Sequence, residues 1–258
     1  MKIATWNVNS LRVRLGHVLD WISANEPDVL ALQETKLSDE KFPVAALAEA
    51  GYEAVFAGQP TYNGVAILAR RATLGAPTAV VRGNPLFPDE QQRLISAEVG
   101  GLRIVCAYFP NGQSVDSDKY QYKLAWIDAL TNWLARRDAA APATVLLGDF
   151  NIAPEDRDVH DPAAWQGLVL CSEPERERFR ALIADDFVDT FRMFDQPERS
   201  FSWWDYRRLG FRRNAGLRID HVLVDARLAP RVVACTIDRA PRKLEQPSDH
   251  APVMVELS

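Results

Sequence analysis

The first third of this chain contains a sequence of elements that returns later in the chain: an amphipathic helix, a proline, an apolar strand and an acidic residue. Apolar residues recur at helical spacing from Leu11 to Ile22. Glu26-Pro27 predicts the end of this helix, because the residue before a proline avoids the helical region. The segment DVLALQE that follows is typical of a buried strand, and it ends at Glu34.

The second passage lies in the middle of the chain. The spacing from Leu124 to Leu134 predicts a helix, and Ala141-Pro142 is expected to end it. The segment ATVLLGD then predicts an apolar strand that ends at Asp149. Two similar halves predict an α+β sandwich, with two sheets packed face to face and helices outside.

Further strands are predicted along the rest of the chain, separated by Gly, Pro and Asn turns. They are KIATWNV, GVAILA, RLISAEV, LRIVCAYF, FSWWDY, LRIDHVLV, RVVACTI and APVMVEL. Residues 152–172 have no clear period, so a long loop with at most one short helix is expected. No low-complexity linker divides the sequence, and residues 1–258 are interpreted as a single domain.

Composition places the chain among ordinary globular proteins. It is 47% hydrophobic over 258 residues, enough for a large core. No stretch has the roughly 18 uninterrupted apolar residues of a membrane span, and MKIATWNVNSLRVR becomes polar too early for a signal peptide. We therefore expect a cytoplasmic protein without a membrane segment, and a monomer by default. Cys106, Cys171 and Cys235 lie far apart, which favours reduced thiols over a disulfide framework or a zinc site.

The charge of the chain argues against non-specific coating of nucleic acid. The formal net charge is −5, whereas such binding needs many Lys and Arg contacts to phosphates. One local exception is the stretch from Tyr206 to Arg218, which has five arginines among thirteen residues. On charge alone, a solvated loop is the favoured interpretation of this stretch.

Acidic residues stand at the ends of apolar strands, where an unpaired buried carboxylate is costly. Glu34 and Asp149 lie at strand exits, while Asp220 and the Asp249-His250 pair lie at strand entries. In antiparallel sheets the exit of one strand adjoins the entry of its neighbour, so all four sites can meet at one edge. The same edge is expected to hold Asn7 and Asn9.

Each of these residues has a purely structural alternative when it is considered singly. Glu34 suits a helix or turn cap, Asp149 a turn before Asn151, Asp220 an arginine partner, and His250 a buried histidine. Together they supply carboxylate and amide oxygens and an imidazole, which suit Mg²⁺ or Mn²⁺, and the lack of paired Cys argues against zinc. The predicted chemistry is metal-assisted hydrolysis of a phosphate ester.

A series of motifs then resembles one known family. In order, they are WNVNSLR, LQETK, YNGVAIL, YFPNG, GDFNIAP, FSWWDYR, GLRIDHVL and SDHAPV, and they extend over nearly the whole chain. Their order and spacing resemble the exonuclease III family of DNA-repair nucleases, within the endonuclease/exonuclease/phosphatase superfamily. The resemblance implies a four-layered α/β sandwich with one active site at the shared edge of its two sheets.

The resemblance also implies roles for the polar residues. Glu34 would be the chief ligand of one or two Mg²⁺ or Mn²⁺ ions. The full set of implied metal ligands is Asn7, Glu34, Asp149, Asn151, Asp249 and His250. Asp149 would orient or deprotonate the attacking water, Asn151 would hold the water or a phosphoryl oxygen, and Tyr108 would contact the phosphate.

His250 has two implied roles, as a base or as a charged stabiliser of the phosphorus centre, because its pKa lies near neutrality. Its expected partner is Asp220 rather than the adjacent Asp249, which should turn toward the metal. Pro247 and Pro252 are expected to fix this turn. The sequence leaves open whether Asp149 or His250 takes the proton.

Contacts to double-stranded DNA are implied for the arginine-rich stretch. Trp203, Phe211 and Leu217 would pack against an extrahelical sugar, among Arg207, Arg208, Arg212 and Arg213. One of Trp203 and Trp204 is expected to pack in the core. Weaker candidates for phosphate contacts are Lys36, Arg70 and Lys123, each of which also suits plain surface.

Two departures from the family pattern qualify the resemblance. Asn9 stands where some members have Asp, which leaves one charge fewer for the metal. The segment from Asp156 to Ser172, which contains His160, varies among members and is expected to influence the balance among three activities. These are cleavage 5′ to abasic sites, removal of 3′ blocking groups, and 3′ to 5′ exonuclease digestion.

Two other functions were weighed against DNA repair. A phosphatase acting on an inositol phosphate or phospholipid would keep the superfamily but lack a use for the arginine-rich stretch. A non-catalytic nucleic-acid-binding module would be expected to lose at least one of the polar residues, yet Glu34, Asp149, Asn151, Asp220 and His250 are all present.

Overall fold

The apolar runs of the sequence form twelve strands and six α-helices in the computed structural model, which describes residues 1–138, 140–184 and 186–258. The strands are β1 (Lys2–Asn7), β2 (Val29–Gln33), β3 (Tyr52–Ala57), β4 (Val65–Arg70), β5 (Thr78–Arg82), β6 (Leu94–Val99), β7 (Leu102–Tyr108), β8 (Thr144–Asp149), β9 (Phe187–Asp189), β10 (Asp220–Asp225), β11 (Val232–Ile237) and β12 (Val253–Leu257). The helices are α1 (Leu11–Asn25), α2 (Val44–Glu49), α3 (Arg71–Leu74), α4 (Asp118–Ala135), α5 (Pro162–Trp165) and α6 (Glu173–Ile183).

The strands form two six-stranded sheets. Their orders are β11-β12-β1-β2-β4-β3 and β5-β6-β7-β8-β10-β9. Each sheet has one parallel pair near its centre, β1 with β2 and β7 with β8, and its other pairs are antiparallel. The two halves of the chain therefore build equivalent central pairs, as the repeated order of elements predicts.

Alternating side chains of each strand face different layers. In β1, Ile3 packs in the cluster between the sheets, whereas Trp6 packs under α1 with Val18. In β8, Val145 faces the space between the sheets, and Leu146 packs under α4 and α6. The layers are helices, sheet, sheet and helices, which confirms the expected four-layered sandwich.

The two predicted helices exist, but only one ends as expected. α1 ends at Asn25, where Glu26 takes a left-handed conformation (φ 49°) before Pro27. The expected stop at Ala141-Pro142 is wrong, because α4 already ends at Ala135. The buried face of that helix finishes at Leu134, and Asp138 then closes a turn by accepting the Ala141 N–H at 2.9 Å.

The predicted strand FSWWDY is also wrong. Within it, Trp203 makes isolated bridges to Leu217 and His250 and no continuous ladder. Ser202 explains the interruption, since its hydroxyl accepts the N–H groups of Ile219 and Asp220 at 3.1 and 3.0 Å. Backbone donors that a ladder would use are thereby bound to a side chain.

Residues 152–172 form a long connection, as expected, but it contains a 3₁₀ helix at Asp156–Asp158 in addition to the single short helix that was expected, α5. Sequence analysis missed α6, which follows directly. The signal was present: Ser172 and Glu175 form a reciprocal capping box, and Pro174 occupies the first turn. The short strands β3, β5 and β9 were also missed. No helix among the described residues is long and apolar enough to cross a membrane.

Candidate active site

Strand pairing brings the polar residues to one edge of both sheets. Asn7 pairs with Gln33 in the parallel β1–β2 pair, so Glu34 follows immediately beyond that pair. In the other sheet Tyr108 pairs with Asp149, and Asp149 pairs with Asp220 across the antiparallel β8–β10 pair. The first sheet adds His250, which lies just before β12.

These strand ends place three potential ligand groups together. Single ligand atoms of Glu34, Asp149 and His250 all lie within 4.8 Å of one another. The side-chain amide of Asn7 links the two carboxylates, donating to Glu34 Oε1 and Asp149 Oδ2 at 2.9 Å each. Tyr108 also donates its hydroxyl to Glu34 Oε1 at 2.9 Å. We call Glu34, Asp149 and His250 the acidic cluster.

His250 binds Asp220, as the sequence predicts, and not the adjacent Asp249. Its Nδ1 donates to both Asp220 oxygens at 2.9 and 3.0 Å, and its Nε2 lies 3.7 Å from Asp149 Oδ2. Burial on its own would lower the pKa of His250, but the carboxylates of Asp220 and Asp149 outweigh it and raise the pKa to about 10. The imidazole is therefore protonated at neutral pH.

The two carboxyl groups of the cluster have opposite tendencies. Burial, helped by the charge of Asp220, raises the pKa of Asp149 to about 7, even though His250 opposes the rise. Burial also acts to raise the pKa of Glu34, but Lys36 and Asn7 outweigh it, and the net pKa is lowered. Glu34 is thus a permanent anion, whereas Asp149 can exchange a proton near neutral pH.

The donor set fits a hard divalent cation. Carboxylate oxygens dominate it, and such oxygens are the ligands that Mg²⁺ and Mn²⁺ prefer. The ammonium of Lys36 lies 2.8 Å from Glu34 Oε2, so this carboxylate already faces a position that accepts positive charge. Burial and the neighbouring carboxylates raise the pKa of Tyr108 well above its usual value, which keeps its hydroxyl a donor.

Asn151 is held next to Asp149 in a left-handed conformation (φ 50°). Its backbone N–H donates to Asp149 Oδ1 at 2.9 Å, and its side-chain amide donates to the Phe109 carbonyl at 3.0 Å. The Asn111 amide donates to Asn151 Oδ1 at 3.1 Å. Sequence analysis missed Asn111, although the motif YFPNG contains it.

Asp249 lies outside the acidic cluster, contrary to the expectation that it turns toward the metal. Its two oxygens accept hydrogen bonds from Asn9 Nδ2 and Trp203 Nε1, each at 3.0 Å. Asn9 in turn accepts a hydrogen bond from Lys36 at 2.6 Å. Asp249 and Asn9 therefore form a polar link between the site and the segment that contains Trp203.

Ser248, in the motif SDHAPV, is a further residue that sequence analysis missed. It is buried, and its hydroxyl donates to the Asn7 carbonyl at 2.7 Å. The same hydroxyl accepts the backbone N–H of His250 at 3.2 Å. Ser248 therefore fixes the final turn against β1 through its side-chain hydroxyl.

The arginine-rich stretch is exposed at four of its arginines and buried at its C-terminal end, residues 216–218. Arg207, Arg208, Arg212 and Arg213 are exposed, as is Leu209, which sequence analysis did not single out. Trp204 is fully buried and packs edge-on against Phe211, so it is the tryptophan of the pair that belongs to the core. Trp203 is half-buried.

Two residues expected to contact DNA have no surface for it. Leu217 is fully buried, because its strand-like bridge to Trp203 turns its side chain into a cluster with Ile219. Lys123 is fully buried beside Glu175, with which it forms an ion pair. Those two expectations are corrected by the packing of segments that lie far apart in sequence.

The remaining expected positions lie at the surface. Lys36 is partly exposed at the rim of the acidic cluster, and Arg70 pairs with Glu26 away from it. His160 lies with its Nδ1 3.2 Å from the Gly216 carbonyl and its ring against Trp165. The segment 156–172 therefore contacts the end of the arginine-rich stretch.

Comparison with known proteins gives consistent relatives. Residues 4–250 match a family model described as the endonuclease/exonuclease/phosphatase family. The chain is 35% identical over 269 residues to exodeoxyribonuclease III of Haemophilus influenzae, with 99% of each protein covered. A Neisseria 3′ phosphatase, NExo, solved with a product DNA hairpin, is 44% identical with TM-score 0.96, and the match covers 100% of this chain and 99% of NExo. An AP endonuclease from Archaeoglobus fulgidus is 38% identical with TM-score 0.94, over 100% and 99% of the respective chains.

Proposed function

The chain belongs to the endonuclease/exonuclease/phosphatase family, and we propose that it is a Mg²⁺- or Mn²⁺-dependent nuclease of the exonuclease III type. Its proposed substrate is duplex DNA, cleaved 5′ to abasic sites or shortened and unblocked at 3′ ends. Relatives named as an exodeoxyribonuclease, a 3′ phosphatase and an AP endonuclease support this substrate class. The whole chain acts as one domain in this proposal, because both sheets contribute to the site.

The single observation that carries the proposal is the acidic cluster with Asp220 behind it. Glu34, Asp149 and His250 converge within 4.8 Å, and Asp220 holds His250 Nδ1 from the side opposite the cluster. A buried structural network would need no group able to exchange a proton near pH 7, yet Asp149 is such a group. Perturbed acid and base groups of this kind are concentrated at catalytic sites.

The different proton affinities support a division of labour. Asp149, with a pKa of about 7, is the proposed base that orients the attacking water and takes its proton. His250 keeps its proton, because its pKa is about 10, and donates from Nε2 to a phosphoryl oxygen. Tyr108, whose hydroxyl lies against Glu34, and Asn151, whose amide lies against Asp149, are the proposed further contacts of the phosphate. Of the two candidates for the base that the sequence leaves open, the proposal therefore assigns the role to Asp149.

Glu34 is the proposed principal ligand of the divalent ion, with Asp149 beside it and Asn7 and Asn151 within the same network. When bound, the ion supplies positive charge that stabilises the negative charge developing on the phosphate and on the leaving oxygen. The bound ion would displace the ammonium of Lys36 from Glu34. Lys36 would remain at the rim of the acidic cluster, where its ammonium can bind a neighbouring phosphate.

The exposed arginines support a duplex as the substrate. Arg207, Arg208, Arg212 and Arg213 surround Leu209, which is 62% exposed. This pattern suits a surface on which arginines hold phosphates while an apolar side chain presses against bases or sugars. The base of the segment is rigid, because Arg242 stacks on Phe211 at 5.0 Å from its ring centre.

A cleavage assay with a matched pair of histidine variants tests the proposal. A duplex with one abasic-site analogue should be nicked in Mg²⁺ and left intact in chelator. His250→Ala should lower the single-turnover rate by about 10²- to 10⁴-fold while duplex binding survives. The control is His17→Ala, on α1 outside the acidic cluster, which should cleave at the wild-type rate.

Two outcomes would contradict the proposal. Turnover of an inositol phosphate or a lipid with intact DNA would change the substrate class, and loss of binding in proportion to rate would make His250 structural. Running abasic nicking, 3′-phosphate removal and exonuclease digestion side by side gives the balance among the three activities.

Three free buried cysteines suit the cytoplasmic location that we also propose, and light scattering tests the expected monomer.

A further inference from the structure

Lys123 is a fully buried lysine whose three N–H donors all have acceptors. Its ammonium donates to the Asn151 carbonyl at 2.7 Å, to the Asn111 carbonyl at 3.2 Å, and to the Glu175 carboxylate. An ammonium has three donors and no acceptor, and leaving any of them unpaired in the interior is costly. Lys123 is therefore held in one position by three separate segments of the chain.

Glu175 fixes the other side of this contact. Its Oε1 accepts the Leu170 N–H at 3.0 Å, and its Oε2 accepts the N–H and the hydroxyl of Ser172 at 3.0 and 2.5 Å. The Ser172 hydroxyl also lies 2.5 Å from the hydroxyl of Tyr120, on α4. The ion pair thus joins α4, the start of α6 and residues 170–172 into one rigid support.

Both asparagines bound by Lys123 belong to loops that leave the central strands at the active site. Asn111 follows β7 and Asn151 follows β8, and their side chains are joined at 3.1 Å. Asn151 has a left-handed backbone, and its amide also reaches Asp149 Oδ2 at 3.3 Å. Asparagine adopts this conformation more readily than other non-glycine residues, and these hydrogen bonds hold Asn151 in it.

We propose that Lys123 is a positioning residue for the reaction, whose ammonium clamps the two asparagine loops together and so fixes Asn151 against Asp149. This inference rests on the proposed function, because it assigns Asn151 to the catalytic site. It replaces the expectation that Lys123 contacts DNA. The clamp acts from behind the site, through backbone carbonyls, and has no contact with substrate.

Lys123→Met removes the ammonium and keeps the length of the side chain. The single-turnover rate on the abasic duplex should fall about 10- to 100-fold, since a misplacement of about 1 Å costs this much, while KM for the duplex stays within about twofold. The matched control is Lys2→Met, at the opposite end of β1 from the site, which should leave the rate unchanged.

A double-mutant comparison separates positioning from general support. In an Asn151→Ala background, Lys123→Met should change the remaining rate by less than about twofold, because its effect passes through Asn151. An equal fall in both backgrounds would overturn the inference. Wild-type protein run in parallel tests the proposed function itself, since a wild type that leaves the duplex intact refutes that function and not the clamp alone.

A second variant covers the case in which Lys123→Met unfolds. Lys123→Met with Glu175→Gln leaves no unpaired charge in the interior, and replacing a buried ion pair in this way preserves stability in many proteins. We expect thermal stability to return toward that of the wild type while the rate stays low. If rate and stability recover together, Lys123 only supports the fold and the inference is wrong.

Discussion

Replacing Asp220 by asparagine should remove the charge that keeps His250 protonated. The two groups lie 2.9 Å apart, and at an effective dielectric of about 20 unit charges at this distance attract by about 6 kcal/mol. At about 1.4 kcal/mol for each pKa unit, this attraction equals about four units. The pKa of His250, about 10 in the wild type, should therefore fall to about 6 in the variant.

The assay is the single-turnover cleavage rate of Asp220→Asn and wild type between pH 5.5 and 9. At pH 8 only about 1% of the variant histidine carries its proton, so protonation alone lowers the rate about 100-fold. The deficit should shrink as the pH falls toward 6. NMR titration of the metal-free variant reports the histidine directly.

Either of two results would refute this reasoning. A deficit of the same size at every pH would show that Asp220 acts on orientation and not on the protonation of His250. Cleavage that stays at the wild-type rate at pH 8 would show that the proton of His250 has no part in the reaction.

Two further predictions concern metal binding and stability. Mg²⁺ at about 100 times its Kd should stabilise the wild type by about 2.7 kcal/mol, or about 5–10 °C in Tm for a chain of this size. Glu34→Gln should lose most of that rise in calorimetry, and an equal rise in both proteins would remove Glu34 from the metal site. Arg218→Met should lower the free energy of unfolding by about 3–5 kcal/mol at pH 7, because it removes the ion-pair partner of the buried Asp189 carboxylate and leaves Asp158 paired with Arg192 alone. Burial acts to raise the pKa of Asp189, but Arg218 outweighs it, and the net pKa lies below the ordinary 3.8. The ion pair of Asp189 with Arg218 therefore stabilises the fold above pH 3.8, and this stabilisation is lost as the pH falls through the pKa of Asp189 in the folded protein. The deficit of the Arg218 variant in thermal melts should therefore narrow in acid, and a constant deficit would contradict the ion-pair origin.

The sequence predicts the positions of the polar residues well where local pattern decides the structure. Glu34 and Asp149 lie at strand ends because the apolar runs before them are long enough to cross the buried layer. His250 and Asp220 lie at strand starts for the same reason. The direction of each pairing does not follow from those runs: the sheets are mostly antiparallel, as expected, but the β1–β2 and β7–β8 pairs next to Glu34 and Asp149 are parallel.

The wrong expectations share a physical cause, which is that distant segments decide them. Nothing in the local sequence around Lys123 predicts its burial. Its ammonium can be buried because Glu175 and the carbonyls of two distant loops accept its hydrogen bonds. Leu217 is buried at its isolated β-bridge to Trp203. The carboxylate of Asp249 accepts hydrogen bonds from Trp203 and Asn9. None of these partners lies close enough in sequence to leave a periodic signal.

The two halves of the chain build equivalent central strand pairs, but they contribute different residues to the active site. The first half supplies Glu34, directly beyond the β1–β2 pair, and the second half supplies Asp149, the last residue of the β7–β8 pair. The hydrogen-bonded pair of His250 and Asp220 joins the two sheets, because His250 precedes β12 of one sheet and Asp220 begins β10 of the other. A shift of one sheet over the other would break this bond before it disturbed either parallel pair. The apolar cluster between the sheets, which includes Val253 and Val222 close to these two residues in sequence, therefore supports the contact between His250 and Asp220 as well as the stability of the fold.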